Sequence, residues 1–420
     1  MSTILSDELL SELMAVGQLD ILVGLPTLNH ADTVAASVRA AHVVFDGAYA
    51  RERTLLLNVD GGSSDGTPDA VRQASLIEGE TVLASFSLRT RHRISAPYHG
   101  VPGKAGEIRT IFAAADLLQA RAVAVLDPEV TSVTPDSLAA LLRPVLADAM
   151  DFVSPAYARH PLDGALVTQL VRPLFRSAYG LPLREPLAGE FACSGRFAAR
   201  CLELGEWEGT HLRAGIDLWL STVAASGQWR VGEARLGPRQ LASRSRPGVA
   251  ALVPQVMGAL FTGLRLDEAS WTARDGQAPL ALYGEPAPTP PSSAAADAAT
   301  GAAAFREGTA ALEPILARAL EPATLGELRG AAADAGAPTL SDELWVRLVD
   351  EVAVAHRKAA VSRDQLVQAA VPLYLGRVAA FHAAHEDEPP AAVERALEEL
   401  CLRFERSRPE LVRLWTAAAR

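Results

Sequence analysis

Cysteine is scarce in this sequence: Cys193, Cys201 and Cys401 are the only three in 420 residues. An odd set with no CxxC spacing supplies neither a disulfide framework nor a zinc site. Lysine is scarcer still, with only Lys104 and Lys358, and arginine carries nearly all the positive charge. With 39 basic and 50 acidic residues the formal net charge is −11. That balance argues against nucleic acid as a partner, whose binding comes mostly from phosphate neutralisation. It leaves room for a small anionic ligand held by a few local cations. Long apolar runs are absent too. None approaches the roughly 20 residues that span a bilayer, and the acidic stretch Met1–Glu8 lacks the basic start of a secretory signal. A cytoplasmic chain without a membrane span is the expectation.

What is present is a globular composition: 49% of the residues are hydrophobic, enough to core two or three domains at this length. The runs Asp20–Leu25, Thr54–Val59, Arg121–Leu126 and Asp151–Ser154 are apolar with little alternation, as in parallel strands covered on both faces. Helical patterns at 32–44 and 106–118 lie between them. Strand alternating with helix predicts an α/β, doubly wound, mainly parallel sheet with right-handed crossovers. Further helical patterns cover 214–226 and 249–264, and the Pro-, Ala- and Ser-rich stretch 284–301 reads as a linker. Beyond it Leu344, Trp345, Leu348, Val349 and Val352 form a helical stripe behind a Ser341-Asp342 start signal. The expected division is a domain over 1–275, a linker over 276–300 and a helical domain over 301–420.

Ligands of a doubly wound sheet bind beyond the carboxyl ends of its strands. Four motifs fall there: Pro26-Thr27-Leu28-Asn29-His30, the run Asp60-Gly61-Gly62-Ser63-Ser64-Asp65-Gly66-Thr67, Pro102-Gly103-Lys104-Ala105-Gly106, and Asp127-Pro128-Glu129. Asp60 can accept hydrogen bonds from a base or ribose while Gly61 and Gly62 admit a ligand to the backbone. The plainer reading is a tight turn with Asp65-Gly66 capping a helix. Lys104, between glycine-rich neighbours at a helix start, adds its charge to free amides and the helix dipole, which suits a phosphate; the plainer reading is a solvated loop lysine. Asp127 and Glu129, at alternate positions of a strand end, can share one hard cation that bridges a diphosphate; the plainer reading is a polar strand exit at Pro128. Taken together the four motifs describe a nucleotide-diphosphate sugar site, with Asp60 at the nucleoside, Lys104 at the diphosphate, and Asp127 and Glu129 on Mg²⁺ or Mn²⁺.

Pro26 to Asn29, the DGGSSDGT run and the D-x-E resemble the GT-A glycosyltransferases, whose DXD motif binds the metal and diphosphate. Tyr157-Ala-Arg159-His160-Pro-Leu-Asp163-Gly164, Pro186-Leu-Ala-Gly189-Glu190-Phe191 and Gly215-Ile216-Asp217-Leu-Trp-Leu220 are similar to the mannosylglycerate and glucosylglycerate synthase group, to which the glucosyl-3-phosphoglycerate synthases are related. Leu252 to Phe261 and Pro372 to Arg377 extend the likeness over nearly the whole chain. The resemblance implies a GT-A catalytic domain over 1–275. It implies a retaining, metal-dependent hexosyltransferase that moves glucose or mannose from a GDP- or UDP-hexose to D-glycerate or a similar small hydroxy acid, giving a compatible solute. Pro26, Thr27, Asn29, Asp60, Gly61, Lys104 and Asp127 would then bind the donor, Asp127 and Glu129 the metal, and Arg159 the acceptor carboxylate. Asp217 would lie near the acceptor and the anomeric carbon, and Glu190 would be a second catalytic carboxylate. The residue types agree with these roles. A guanidinium suits a bidentate carboxylate, and a carboxylate stabilises an oxocarbenium-like centre.

One departure stands out. The group has a metal-binding histidine in a run like Leu-Gly-x-Lys-x-His, where this chain has Leu236-Gly237-Pro238-Arg239-Gln240-Leu241. Water, His211 or His99 could fill the place of the missing ligand, and Arg239, Arg244 and Arg246 could neutralise the diphosphate. Two other readings stay open. One is the same chemistry on 3-phosphoglycerate, with His160 and Arg172 as extra cations. The other is a sugar-nucleotide-binding protein with weak catalysis. The helical tail is left as a homodimer contact, a lid or a support.

Overall fold

The computed structural model of the chain describes residues 4–80, 92–97, 104–204, 207, 209, 212–242, 248–292, 298–334 and 339–418. Eight strands form one sheet: β1 (Ile21–Thr27), β2 (Thr54–Asp60), β3 (His92–Pro97), β4 (Ala122–Val125), β5 (Phe152–Ala158), β6 (Phe191–Ser194), β7 (Val231–Pro238) and β8 (Ala281–Tyr283). Their order is β3-β2-β1-β4-β6-β5-β7-β8. All neighbours pair parallel except β6, which runs antiparallel to both β4 and β5. Every residue of β1 and β4 is buried, as their unalternating apolar sequences require. The mainly parallel α/β sheet read from the sequence is the architecture observed.

Its polarity positions the site. β1, β2, β4, β5 and β7 all point the same way, so their carboxyl ends open on one edge. Because β6 is reversed, the residues that precede it arrive at that same edge. β1 ends at Thr27, β2 at Asp60, β4 just before Leu126-Asp127, β5 at Ala158 and β7 at Pro238, while Gly189 and Glu190 lead into β6.

The fourth predicted strand, Asp151–Ser154, is longer than expected and continues to Ala158. Proline in a strand interior removes a ladder donor, which is why Pro155 reads as a stop. Here β5 pairs with β6 only at Phe152 and Val153, so no ladder with β6 requires an N–H from Pro155. The short strands β3, β6 and β8 and the polar β7 had no distinct sequence signal. Each is specified by the neighbours it pairs with rather than by its own pattern.

The described chain divides into two compact units that interleave in sequence: Met1–Ala158 with Ala188–Arg244 and Leu280–Pro288, and Arg159–Leu187 with Ser245–Pro279 and Thr289–Arg420. This differs from the single boundary expected at 276–300, and within that stretch β8 pairs with Gly232–Ala234 of β7. The first unit holds the sheet and its core of Val23, Leu25, Val38, Leu56, Leu138 and Val153. The second is helical among its described residues. Helix Arg172–Tyr179 packs on the long helix Pro390–Ala417, and helix Val249–Leu266 packs on Asp342–Lys358. Polar bonds fasten the early segment to the late one: Arg176 grips Glu398 at 2.8 Å and also bonds Glu405, and Trp345 Nε1 donates to the Gln169 carbonyl at 2.7 Å. No helix among the described residues is long and apolar enough to cross a membrane.

Candidate active site

The loops after β1 and β2 are stitched together. Thr27 Oγ1 donates to Asp60 Oδ1 at 3.1 Å, and Ser63 Oγ donates to the same oxygen at 2.6 Å. The Gly62 and Ser63 amides donate to Asp60 Oδ2 at 3.1 and 2.8 Å. Thr27 Oγ1 also lies 3.0 Å from Asn58 Oδ1, so its single proton serves either acceptor. Asp60 thus organises its own turn. Asn29 sits at φ 58°, a left-handed backbone that asparagine tolerates. Its Oδ1 accepts the Ser64 amide at 2.8 Å, and its own amide donates to Ser63 Oγ at 2.7 Å. Asp65 caps the next helix by accepting the Thr67 amide at 3.0 Å, and it also takes the Ala31 amide at 3.0 Å. The turn reading of DGGSSDGT is the one these bonds display. Pro26, paired only with Val59 of β2, lies beyond the end of the β4 ladder, where its missing N–H costs no ladder bond.

Gly61 donates its amide to Thr27 O at 2.7 Å, and a Cβ built there would stand 2.2 Å from Glu107 Oε1. Glu107 is one helical turn beyond Lys104 in helix Lys104–Leu117 and is 3% exposed, with Oε1 lacking a hydrogen-bond partner. Burial, reinforced by Asp60, pushes its carboxyl up to about 8. It stands as a neutral acid beneath the Gly61 turn.

A charged cluster occupies the centre of the edge. Lys104 Nζ donates to Asp217 Oδ2 at 3.0 Å and lies 3.8 Å from Asp127 Oδ2. The Arg239 guanidinium reaches Asp127 Oδ2 at 3.7 Å. Burial works against the charge of both Lys104 and Asp127. Asp217 and Asp127 nevertheless hold the ammonium above its usual range, and Lys104 and Arg239 hold the Asp127 carboxyl below its own. Asp217 is driven upward by burial, against Lys104. It follows Gly215, whose φ of −128° and ψ of 17° break the helix Leu212–Ser226, so the carboxylate sits near a fresh helix start. Gly189 is required by the crowding: a Cβ there would meet Asp127 Oδ2 at 2.2 Å and Lys104 Nζ at 2.9 Å. Next to it, Glu190 is 3% exposed and accepts the Tyr157 hydroxyl on Oε2 at 2.5 Å. Burial pushes its carboxyl up to about 7.

Asp127 and Glu129 form the D-x-E pair. Asp127 Oδ1 accepts the Glu129 amide at 3.0 Å, and Glu129 Oε1 stands 4.0 Å from His30 Nε2. His30 Nδ1 accepts the Leu28 amide at 2.9 Å, so its proton is on Nε2 and that nitrogen is a donor rather than a metal ligand. The run 240–242 lies directly on the D-x-E exit: Thr131 N bonds Gln240 O at 2.9 Å, Ala242 N bonds Glu129 O at 2.8 Å, and Leu241 opposes Val130. Leucine stands beside the pair, and the described residues contain no group of three or more His, Cys, Asp or Glu suited to a metal. Two carboxylates do fit a Mg²⁺ or Mn²⁺ whose remaining positions are filled by phosphate oxygens and water, the ordinary way Mg²⁺ is held. His99, His211, Arg244 and Arg246 lie outside the described residues.

Arg159 follows β5 in the chain and belongs to the helical unit. Its guanidinium pairs with Glu185 at 2.9 Å, a carboxylate with a side chain only 7% exposed. Asp163, four residues on, accepts the Ser292 hydroxyl at 2.8 Å. Arg172 is drawn to Glu394 at 3.6 Å and Glu398 at 3.7 Å, so its charge is already answered within that unit. His160 Nδ1 takes the Leu162 amide at 3.3 Å.

The edge thus unites Thr27, Asp60, Gly61, Lys104, Asp127, Glu129, Glu190 and Asp217 on the sheet unit. Three further residues had no assigned part. Glu107 announces itself only by its spacing from Lys104. Glu185 had no signal linking it to Arg159. Tyr157 was visible only as the first residue of the YARHP run.

No protein-family model matches the sequence, and no curated protein matches it. Solved structures similar to this chain include a glucosyl-3-phosphoglycerate synthase from Mycobacterium tuberculosis in complex with Mn²⁺, UDP and glucosyl-3-phosphoglycerate. It is 22% identical over 62% of this chain and 84% of that one, with a TM-score of 0.42. A mannosyl-3-phosphoglycerate synthase from Rubrobacter xylanophilus is 22% identical over 62% of this chain and 79% of that one, with a TM-score of 0.44. A mycobacterial protein is 23% identical over 63% and 79%, with a TM-score of 0.43. At these identities and TM-scores the likeness assigns no role to this chain.

Proposed function

We propose that this chain is a retaining hexosyltransferase that takes glucose or mannose from a nucleotide-diphosphate sugar and places it on a small hydroxy acid, D-glycerate or 3-phosphoglycerate. The observation that carries the reading is Lys104, which stands between Asp127 and Asp217 at the ligand edge of the sheet. An ammonium at the start of helix Lys104–Leu117 suits a diphosphate, which would compete for it with Asp127 and Asp217. The neighbouring structures, crystallised with UDP, Mn²⁺ or Mg²⁺ and phosphoglyceric acid, agree with that chemistry.

In this reading the loops of Pro26, Thr27, Asn29, Asp60 and Gly61 cradle the nucleoside, with Asp60 keeping the turn in shape. Lys104 neutralises charge on the departing diphosphate. Asp127 and Glu129 would hold a divalent cation, which when bound supplies Lewis-acid charge to the same leaving group. Asp217 would place negative charge where the anomeric centre turns oxocarbenium-like, with Glu190, whose carboxyl burial pushes up to about 7, on the same edge. Arg159, set by Glu185, takes the acceptor carboxylate.

A matrix of UDP- and GDP-hexoses against glycerate and 3-phosphoglycerate, read as nucleoside diphosphate release with and without Mn²⁺, tests this. Release with one donor only when an acid acceptor is present supports the reading; none with any pair refutes it. A second reading, a sugar-nucleotide-binding protein with weak catalysis, is favoured by Leu241 beside the D-x-E pair. It expects normal nucleotide binding with no turnover.

A further inference from the structure

Tyr157 stands in β5 opposite Leu236 of β7, one residue before the ladder becomes irregular. There Ala158 pairs with Pro238, so Gly237 is an extra residue on β7. Such irregularities re-aim side chains at the ends of strands. In this one the chain leaving β7 brings the Arg239 guanidinium over the Tyr157 ring, with Cζ 5.2 Å from the centroid. From that position Arg239 faces Asp127 Oδ2 at 3.7 Å. The hydroxyl at the tip of Tyr157 donates to Glu190 Oε2 at 2.5 Å. The ring itself packs against the core of the sheet unit.

We propose that Tyr157 is a positioning residue for the transfer step: its hydroxyl fixes the Glu190 carboxyl and its ring face fixes the Arg239 guanidinium, so that one rigid side chain sets both groups around Asp127. This rests on the hexosyl-transfer reading. An aromatic ring with two side-chain torsions loses little freedom in holding two partners, whereas Arg239 has long, mobile methylenes and needs a platform. A tyrosine with a purely structural part would require only its ring on the core. The hydroxyl-to-carboxylate bond and the stacked cation are extra, and both lead to the same carboxylate cluster.

The two contacts can be removed separately in the full-length chain. Tyr157→Phe keeps the ring platform and loses the hydroxyl; Tyr157→Leu loses both. With the donor and acceptor that the wild-type chain turns over, Tyr157→Phe is expected to lower kcat at least tenfold and leave the donor KM within twofold. Tyr157→Leu is expected to add a rise of about tenfold in donor KM. Titration with UDP and GDP reads the Arg239 arm without turnover: for whichever nucleotide the wild type binds, Tyr157→Leu weakens binding about tenfold and Tyr157→Phe does not. The inference is overturned if Tyr157→Phe keeps wild-type kcat, or if both variants shift only the melting temperature. A wild type that binds nucleotide but transfers no hexose refutes the function proposed above. In that case the UDP and GDP titrations still decide the part of Tyr157, since equal affinity of the Phe and Leu variants overturns it.

Discussion

At the scale of single residues the site is a balance of charges in poor contact with water. Lys104 is the pivot. Lys104→Ala should lower kcat/KM by about two to three orders of magnitude, the usual loss when one group that stabilises a developing anion is removed. Steady-state kinetics checks this, and a loss below fivefold would put the diphosphate elsewhere. Arg159 calls for a different design. Its pairing with the nearly buried Glu185 means that Arg159→Ala removes an ion pair as well as any ligand contact, and breaking a largely buried pair destabilises the fold. The single variant should therefore raise the acceptor KM ten- to a hundredfold and also lower the melting temperature, a charge-assisted contact being worth about 1.5–3 kcal/mol. Adding Glu185→Gln should restore much of the stability and none of the acceptor affinity. If the double variant recovers both, Arg159 serves only its ion pair.

The elements around these residues explain why they meet. Reversal of β6 delivers Gly189 and Glu190 to the edge where β1, β2 and β4 end, and the strand exit after β7 lies on the D-x-E turn. Because Leu241 opposes Val130 beside Glu129, Leu241→His places a neutral imidazole within the same short ladder. It should tighten Mn²⁺ binding, measured by titration of the metal alone, with the fold unchanged by circular dichroism; an unaltered dissociation constant would mean that position 241 faces away from the pair. Gly189→Ala tests the crowding from the other side. Its methyl would intrude on Asp127 and Lys104, so nucleotide affinity should fall at least tenfold while the melting temperature changes by only a few degrees.

Over the whole molecule, two buried acids tie stability to pH. Glu107 in the sheet unit is pushed up to about 8 by burial and Asp60, and Asp350 in the helical unit to about 7 by burial, despite the Ser407 hydroxyl donating at 2.6 Å. Both carboxyls bind their proton more tightly folded than unfolded. Their contribution is complete below the ordinary carboxylate values near 4 and is lost as pH rises through 7 and 8. The melting temperature should accordingly fall between pH 5 and pH 9. Glu107→Gln and Asp350→Asn, which keep shape without charge, should each flatten part of that fall. A profile unchanged in both variants would place the responsible groups elsewhere.

The sequence by itself determined the α/β class, the apolar runs of β1, β2 and β4, and the polar motifs at their carboxyl ends, because these are local: a buried parallel strand must be apolar throughout, and the chain turns polar where it leaves the sheet. It also exposed Leu241 as a departure. Other features were decided only by the tertiary structure. The full length of β5 past Pro155 depended on where the β6 ladder stops. The interleaving of two units depended on the segments 159–187 and 245–279 sharing a core with the distant helices rather than with the sheet. Pairings across long sequence distances, Lys104 with Asp217, Tyr157 with Glu190 and Arg159 with Glu185, leave no periodic trace in a single chain. They arise because burial removes water from these groups, and a group without water must find its partner wherever the fold brings one.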